Sequence, residues 1–253
     1  MSVVELSHQG HCVVLTLNRP ETLNAINNAM LSELEMHLDV LENADCRAIV
    51  ITGGGRGFCA GTDLKEWHGD PSERMRRVHA LVLRLLHYPK ISIAAINGLA
   101  LGGGLELALA CTFRVARATA RLGLPEVKLG LLPAYAGTQL LPRLIGANRA
   151  LEIMLGGEPM DGSRAAEIGL ANRVVPDEAD VVSAACEFAG VFTRHSLVPQ
   201  RAIRRAVLEG MQLPLEEAMA LELRLVAEVS ASEDTQEGVN AFLEKRAPVW
   251  KDC

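Results

Sequence analysis

Between Lys90 and Arg114 run 23 residues, ISIAAINGLALGGGLELALACTF, of which only Glu106 carries a formal charge. A segment this apolar must be buried, either inside a globular core or across a membrane. Ser92, Asn97, Gly98, the triple glycine Gly102 to Gly104 and Glu106 interrupt it too often for a membrane span. As part of a core it divides into a β-branched strand (ISIAAIN), a glycine-rich turn (NGLALGGG) and the start of a helix (LELALAC). Glu106 then falls in the first turn of that helix. A lone Glu there ordinarily faces water and favours the positive end of the helix dipole. Here its neighbours are apolar, and burying a carboxylate costs several kcal/mol unless something compensates. A chain that keeps a carboxylate in such a run is expected to use it for chemistry.

The rest of the chain continues the alternation of strands and helices. Residues 3–6 and 11–17 predict a hairpin turning near Gln9-Gly10. From Asn27 a helix is expected, with Met30, Leu31, Leu34, Leu38 and Leu41 at helical spacing. AIVIT (48–52) reads as a buried strand before the cluster Gly53-Gly54-Gly55-Arg56-Gly57. FCAGTDLKEW (58–67) leads into a polar loop around Gly69-Asp70-Pro71, and Ser72 is a candidate cap for a helix to about Tyr88. FRVA (113–116) predicts another strand, PEVKLGLLPAYAG (125–137) a second glycine- and proline-marked loop, and the pattern from Thr138 is helical. The expected class is α/β with largely parallel strands, followed by a helical C-terminal part whose boundary lies near residues 190–200.

Chain length allows one large core, or one core with a small appended part. A net charge of −6 argues against nucleic acid as a partner, because neutralising phosphates needs a basic face. Six cysteines are scattered without a CxxC or paired spacing, which suggests reduced packing residues. Met1-Ser2 leads into VVEL without a basic leader or an apolar signal segment, so the expected compartment is the cytoplasm and no membrane partner is expected.

The glycine clusters match neither GxGxxG nor GxxxxGK[ST], and the chain has no GxSxG and no HExxH. Its seven histidines lack metal-ligand spacing. What remains is a pair of carboxylates, Glu106 and Glu126, each beside a glycine-rich loop. Such loops let backbone N–H groups point at a substrate, which is how an oxyanion hole is built.

FCAGTDLKE (58–66), INGLALGGGLELALACTFRVA (96–116), LPEVKLGLLP (124–133) and GTQLLPRLIG (137–146) closely resemble segments of the enoyl-CoA hydratase/isomerase, or crotonase, family. NRPETLNAIN (18–27) and AFLEKR (241–246) match as well, so the resemblance spans nearly the whole chain in order. It implies a core of repeated ββα turns over residues 1–195 and a helical region over 196–253 for oligomerisation and closure over CoA. The implied assembly is a homo-hexamer, a dimer of trimers.

By the same resemblance, the backbone N–H groups of Thr62 and Gly103 polarise an acyl-CoA thioester carbonyl, and Glu106 and Glu126 flank the substrate double bond. CoA is cradled by the backbone around Ala25 and by Ala60, Gly61, Thr62, Asp63, Leu64 and Lys65, with Phe242 and Lys245 closing over it. Ala134 stands where the family pattern PGxGGTQ has a glycine whose amide holds the reacting water. A positive φ at Ala134 would cost about 1–2 kcal/mol. Tyr135 adds bulk that narrows the acyl pocket or donates a hydrogen bond. No metal or nicotinamide is needed, since CoA enters as part of the substrate. With both glutamates present, the implied reaction is hydration of a trans-2-enoyl-CoA to a 3-hydroxyacyl-CoA. Alternatives are a Δ3-Δ2 isomerase, a dehydratase of an unusual 3-hydroxyacyl-CoA, and a CoA-ester or RNA binder without turnover.

Overall fold

The structure is a computed structural model and describes residues 2–66 and 71–253. Strands β1 (Val4–Gln9) and β2 (Cys12–Leu17) form the expected hairpin, with Gln9 paired to Cys12 and Gly10 at φ 59. Helix α1 (Asn28–Glu42) follows. The Asn27 side chain caps it by accepting from Met30 N at 2.9 Å, and its five-residue apolar stripe is buried.

Three turns of the same pattern come next. Strand β3 (Ala48–Gly53) leads to β4 (Gly57–Cys59) and α2 (Pro71–Leu86), β5 (Ile91–Ile96) leads to β6 (Leu99–Leu101) and α3 (Gly103–Ala110), and β7 (Phe113–Arg117) leads to β8 (Arg121–Gly123). Helices α4 (Gly137–Ile145) and α5 (Ala147–Gly156), strand β9 (Met160–Asp161), α6 (Gly162–Glu167) and β10 (Arg173–Val175) complete the α/β part. The long strands form one sheet in the order β1-β2-β3-β5-β7-β10, parallel except at β1. The short ones form a second sheet, β4-β6-β8-β9, parallel except at β9. Each turn thus gives one strand to each sheet, so every crossing from the first sheet to the second falls at the same end of the fold. Every residue of β3 and β5 is buried, as expected for central strands of a parallel sheet covered on both faces.

The expected α/β class with a helical C-terminal part is the architecture found. Three details differ from the sequence reading. NGLALGGG is not a pure turn but contains β6, whose partners β4 and β8 are distant in sequence. The helical stretch after Thr138 is interrupted by β9 and β10. Ser72 lies inside α2, which begins at Pro71, and the loop expected around Gly69-Asp70 is outside the described residues.

The chain divides into two compact units, Met1–Gly190 and Val191–Cys253. Helix α7 (Val181–Thr193) runs through the division. The second unit contains α8 (Leu197–Gly210), α9 (Leu215–Ser230) and α10 (Glu233–Glu244), with Ser196 and Ser232 as side-chain caps of α8 and α10. Asp234 is buried within it and accepts from the amides of Lys251 (2.7 Å) and Asp252 (2.9 Å), which fastens the last residues to α10. Leu215, Met219, Leu223 and Val226 on α9 are all exposed. Among the described residues, no helix is long and apolar enough to cross a membrane.

Candidate active site

The ends of the second sheet and the helices that follow it enclose a cavity of about 320 Å³ in the first unit. Its walls are mostly apolar: Met75 from α2, Leu101 from β6, and Leu129, Leu131 and Leu132 from the loop after β8. Into this space come Thr62, Glu106, Glu126 and Tyr135.

Glu106 sits where the sequence placed it, in the first turn of α3, with 1% exposure on a helix whose eight residues are all buried. One oxygen, Oε1, accepts from Tyr135 N at 2.8 Å and Gly137 N at 2.6 Å. Those two amides fix the carboxyl group. Burial raises its pKa to about 8; the two amides oppose the rise, and the nearby Glu126 adds to it. Glu126 opens the short 3₁₀ turn Glu126–Leu129, and burial raises its pKa as well. Its Oε2 is buried without a hydrogen-bond partner. An unpartnered buried carboxylate oxygen is costly to leave unmade.

The backbone around the cavity is equally unsatisfied. In the short parallel bridge between Ile26 and Thr62, the bonds run from Ile26 N to Gly61 O (2.7 Å) and from Asp63 N to Ile26 O (2.9 Å), which turns the Thr62 N–H away from the ladder. Gly103 is the first residue of α3, where an N–H has no partner within the helix. The N–H groups of Thr62, Gly103 and Ala134, all on residues lining the cavity, have no acceptor among the described residues. The two loops are close together, since a Cβ added to Gly61 would lie 3.4 Å from Gly103 N.

Of the expected site residues, Glu106, Glu126, Thr62, Gly103, Ala60, Gly61, Leu64 and Ala134 line this one cavity. Ala25, Asp63 and Lys65 do not line it but brace its edge. Arg19 donates from Nη1 to the Ala25 carbonyl (2.6 Å) and to Asp63 Oδ2 (2.9 Å), and Asp63 Oδ1 accepts from Lys65 N at 3.1 Å. Phe242 and Lys245 belong to the second unit, where Phe242 is exposed and Lys245 ends α10 at φ 54.

In the PAYAG loop Tyr135 lines the cavity, as the resemblance implied, but its hydroxyl accepts rather than donates. Ala134 is not in the positive-φ region, so its methyl group causes no backbone strain there; Ala136, at φ 78, is the left-handed residue. The Tyr135 hydroxyl accepts a hydrogen bond from Arg74 Nε at 2.9 Å. Arg74 and Arg19 were not singled out from sequence. The Arg19 bond to Asp63 and the Arg74 bond to Tyr135 span 44 and 61 residues, which local pattern cannot pair.

Two expected results follow from this geometry. Ala136→Gly should stabilise the fold by about 1 kcal/mol, because relief of the left-handed alanine outweighs the added freedom of the unfolded chain. Thermal denaturation should show a rise of roughly 2–4 °C. The second concerns pH. Between the ordinary carboxylate value of 4.5 and about 8, folded Glu106 keeps a proton that the unfolded chain has released. The unfolded state therefore binds fewer protons in that window, and this group makes stability fall as pH rises through it. Glu106→Gln should flatten that part of the stability-versus-pH curve; an unchanged slope would show that Glu106 titrates normally.

Comparison with known proteins gives a consistent result. The family model for enoyl-CoA hydratase/isomerase matches residues 7–253. The chain is 40% identical to a probable enoyl-CoA hydratase of Bacillus subtilis, covering 99% of both chains. It is 38% identical to the 2,3-dehydroadipyl-CoA hydratase of Escherichia coli, again covering 99% of each. The crystal structure of an enoyl-CoA hydratase from Bacillus anthracis superimposes with a TM-score of 0.93 at 36% identity, covering 99% of this chain and 100% of that one. The chain belongs to the enoyl-CoA hydratase/isomerase family.

Proposed function

We propose that the protein is an enoyl-CoA hydratase that adds water across the double bond of a trans-2-enoyl-CoA to give a 3-hydroxyacyl-CoA. The observation that carries this reading is the meeting of two carboxyl groups, buried Glu106 and half-buried Glu126, and three unsatisfied N–H groups in one apolar cavity. Hydratases among its relatives support the substrate class.

In this mechanism the N–H groups of Thr62 and Gly103 receive the thioester oxygen and stabilise the charge that builds on it as the enolate forms. One such donor is worth about 10²–10³ in rate. The Ala134 N–H and the two carboxyl groups hold the water over the β-carbon. Glu106 is fixed through Oε1, which leaves Oε2 for the water. The water oxygen bonds to the β-carbon while a carboxylate takes its proton. The α-carbon is then protonated from the carboxyl pair, so the elements of one water are added and nothing is oxidised. The apolar walls accept the acyl chain, and the Ala60 to Lys65 segment and Ala25 border the CoA entrance. No resident metal or cofactor is required by this reading, and the reduced thiols fit a cytoplasmic setting.

Incubating the protein with a panel of trans-2-enoyl-CoA thioesters, from crotonyl to hexadecenoyl, should show loss of the enoyl-thioester absorbance. No loss with any member would reject the reading. The exposed α9 face of Leu215, Met219, Leu223 and Val226 supports a homo-oligomer, most simply a hexamer formed as a dimer of trimers. Light scattering should then give the mass of six 27.2-kDa chains, and a single-chain mass at micromolar concentration would contradict it.

A further inference from the structure

Tyr135 touches the candidate site at three points. Its amide donates to Glu106. Its ring, 3% exposed, lies on Gly103: a Cβ added there would meet Cδ2 at 2.8 Å and Cε2 at 2.9 Å. Its hydroxyl accepts from Arg74 Nε. The same guanidinium donates from Nη2 to the Ile26 carbonyl at 2.7 Å and from Nη1 to Asn28 Oδ1 at 2.9 Å. Ile26 is in turn the residue that bridges to Thr62, and its carbonyl also accepts from Asp63 N. A continuous path of contacts thus runs from Gly103 through the Tyr135 ring and hydroxyl, across Arg74, to the backbone that sets the Thr62 N–H.

The site needs such a connection. The peptide planes carrying the two N–H groups follow Gly61, at φ 103, and Gly102, at φ 50. Glycine allows these conformations but does little to hold them, because it has no Cβ to restrict the backbone. The spacing of the two donors must be imposed from outside, and oxyanion stabilisation depends on that spacing.

We propose that Arg74 and Tyr135 form a strut that sets the separation and direction of the Thr62 and Gly103 N–H groups. The proposal rests on the hydratase reading above. Both are positioning residues, since they act through the backbone donors rather than on the reacting atoms. Tyr135→Phe keeps the ring on Gly103 and the amide on Glu106 and removes only the link to Arg74. Arg74→Met removes that link together with the bonds to the Ile26 carbonyl and Asn28 Oδ1.

The test uses a push–pull thioester, dimethylaminocinnamoyl-CoA, whose absorption moves to longer wavelength as its carbonyl oxygen is more strongly hydrogen-bonded. Wild-type protein should shift the bound probe and hydrate crotonyl-CoA. Both variants should shift it less, and each should lose about tenfold in kcat with KM within about twofold. The double variant should be little worse than Arg74→Met alone, because that change already removes the link that Tyr135→Phe cuts. If wild type shifts and hydrates, and Tyr135→Phe does both equally well, the strut is overturned while the hydratase reading stands. A raised KM with unchanged kcat and unchanged probe wavelength would also overturn it, since Tyr135 would then only shape the pocket. Wild type that neither hydrates nor shifts the probe would remove the hydratase reading, and the strut with it. Should Arg74→Met fail to fold, Tyr135→Phe alone decides.

Discussion

Replacing Glu106 by glutamine should lower hydratase turnover by about 10³-fold, within the 10²–10⁴ range typical of a lost general acid or base. The fold should survive. The amide oxygen of glutamine can still accept from Tyr135 N and Gly137 N, the two bonds that fix Glu106 now. Burial should favour the neutral side chain, because the wild-type carboxyl group already resists ionisation there. Affinity for a saturated acyl-CoA should change little, because the proposed mechanism places the thioester and CoA contacts on other residues. Glu126→Gln should act the same way, as it removes the partner whose Oε2 faces no protein donor. Steady-state kinetics on crotonyl-CoA checks both. Wild-type rates in either variant would take that carboxylate out of the mechanism. Retention of double-bond isomerisation by Glu106→Gln, with hydration lost, would support the isomerase alternative.

The second large effect is expected at Gly104. This residue sits in the first turn of α3, and a Cβ there would lie 2.2 Å from the Cys59 carbonyl oxygen and 2.8 Å from both the Cys59 carbonyl carbon and Cβ. No rotamer can relieve a clash with backbone. Gly104→Ala must push α3 away from β4, at a cost of about 3 kcal/mol or more. That movement also separates the Gly103 N–H from the Thr62 loop, so activity should fall along with stability. Thermal denaturation should show a loss of roughly 6 °C or more. Gly190→Ala on α7 is the control: nothing lies within 4 Å of its added Cβ, and it should stabilise slightly. Equal behaviour of the two variants would contradict this explanation of α3 packing.

Both residues show how far the sequence could be read. Glu106 was visible because one charge in a 23-residue apolar run is anomalous by itself, whereas the close packing of Gly104 on Cys59 was not, since the triple glycine read only as a turn with exposed N–H groups. The α1 stripe and strands β3 and β5 were equally legible, since burial leaves a periodic or continuous apolar pattern. Strand β6 was not, because three residues among glycines carry no period, and its partners β4 and β8 come from other turns of the chain. The link from Arg74 to Tyr135 spans 61 residues and depends on side-chain direction, which composition and spacing do not encode. The strained position in PAYAG shows a related limit. The motif drew attention to Ala134, but the left-handed conformation belongs to Ala136, because a turn's φ values are set by how its ends are held.

Hydration is decided by following the oxygen. Crotonyl-CoA should be incubated with the wild-type protein in water enriched in the heavy oxygen isotope, and the product analysed by mass spectrometry. The hydratase reading predicts 3-hydroxybutyryl-CoA carrying one solvent oxygen at its β-carbon, formed about 10³-fold more slowly by Glu106→Gln and Glu126→Gln. Tight thioester binding with the enoyl group intact, or double-bond migration without oxygen incorporation, would contradict it.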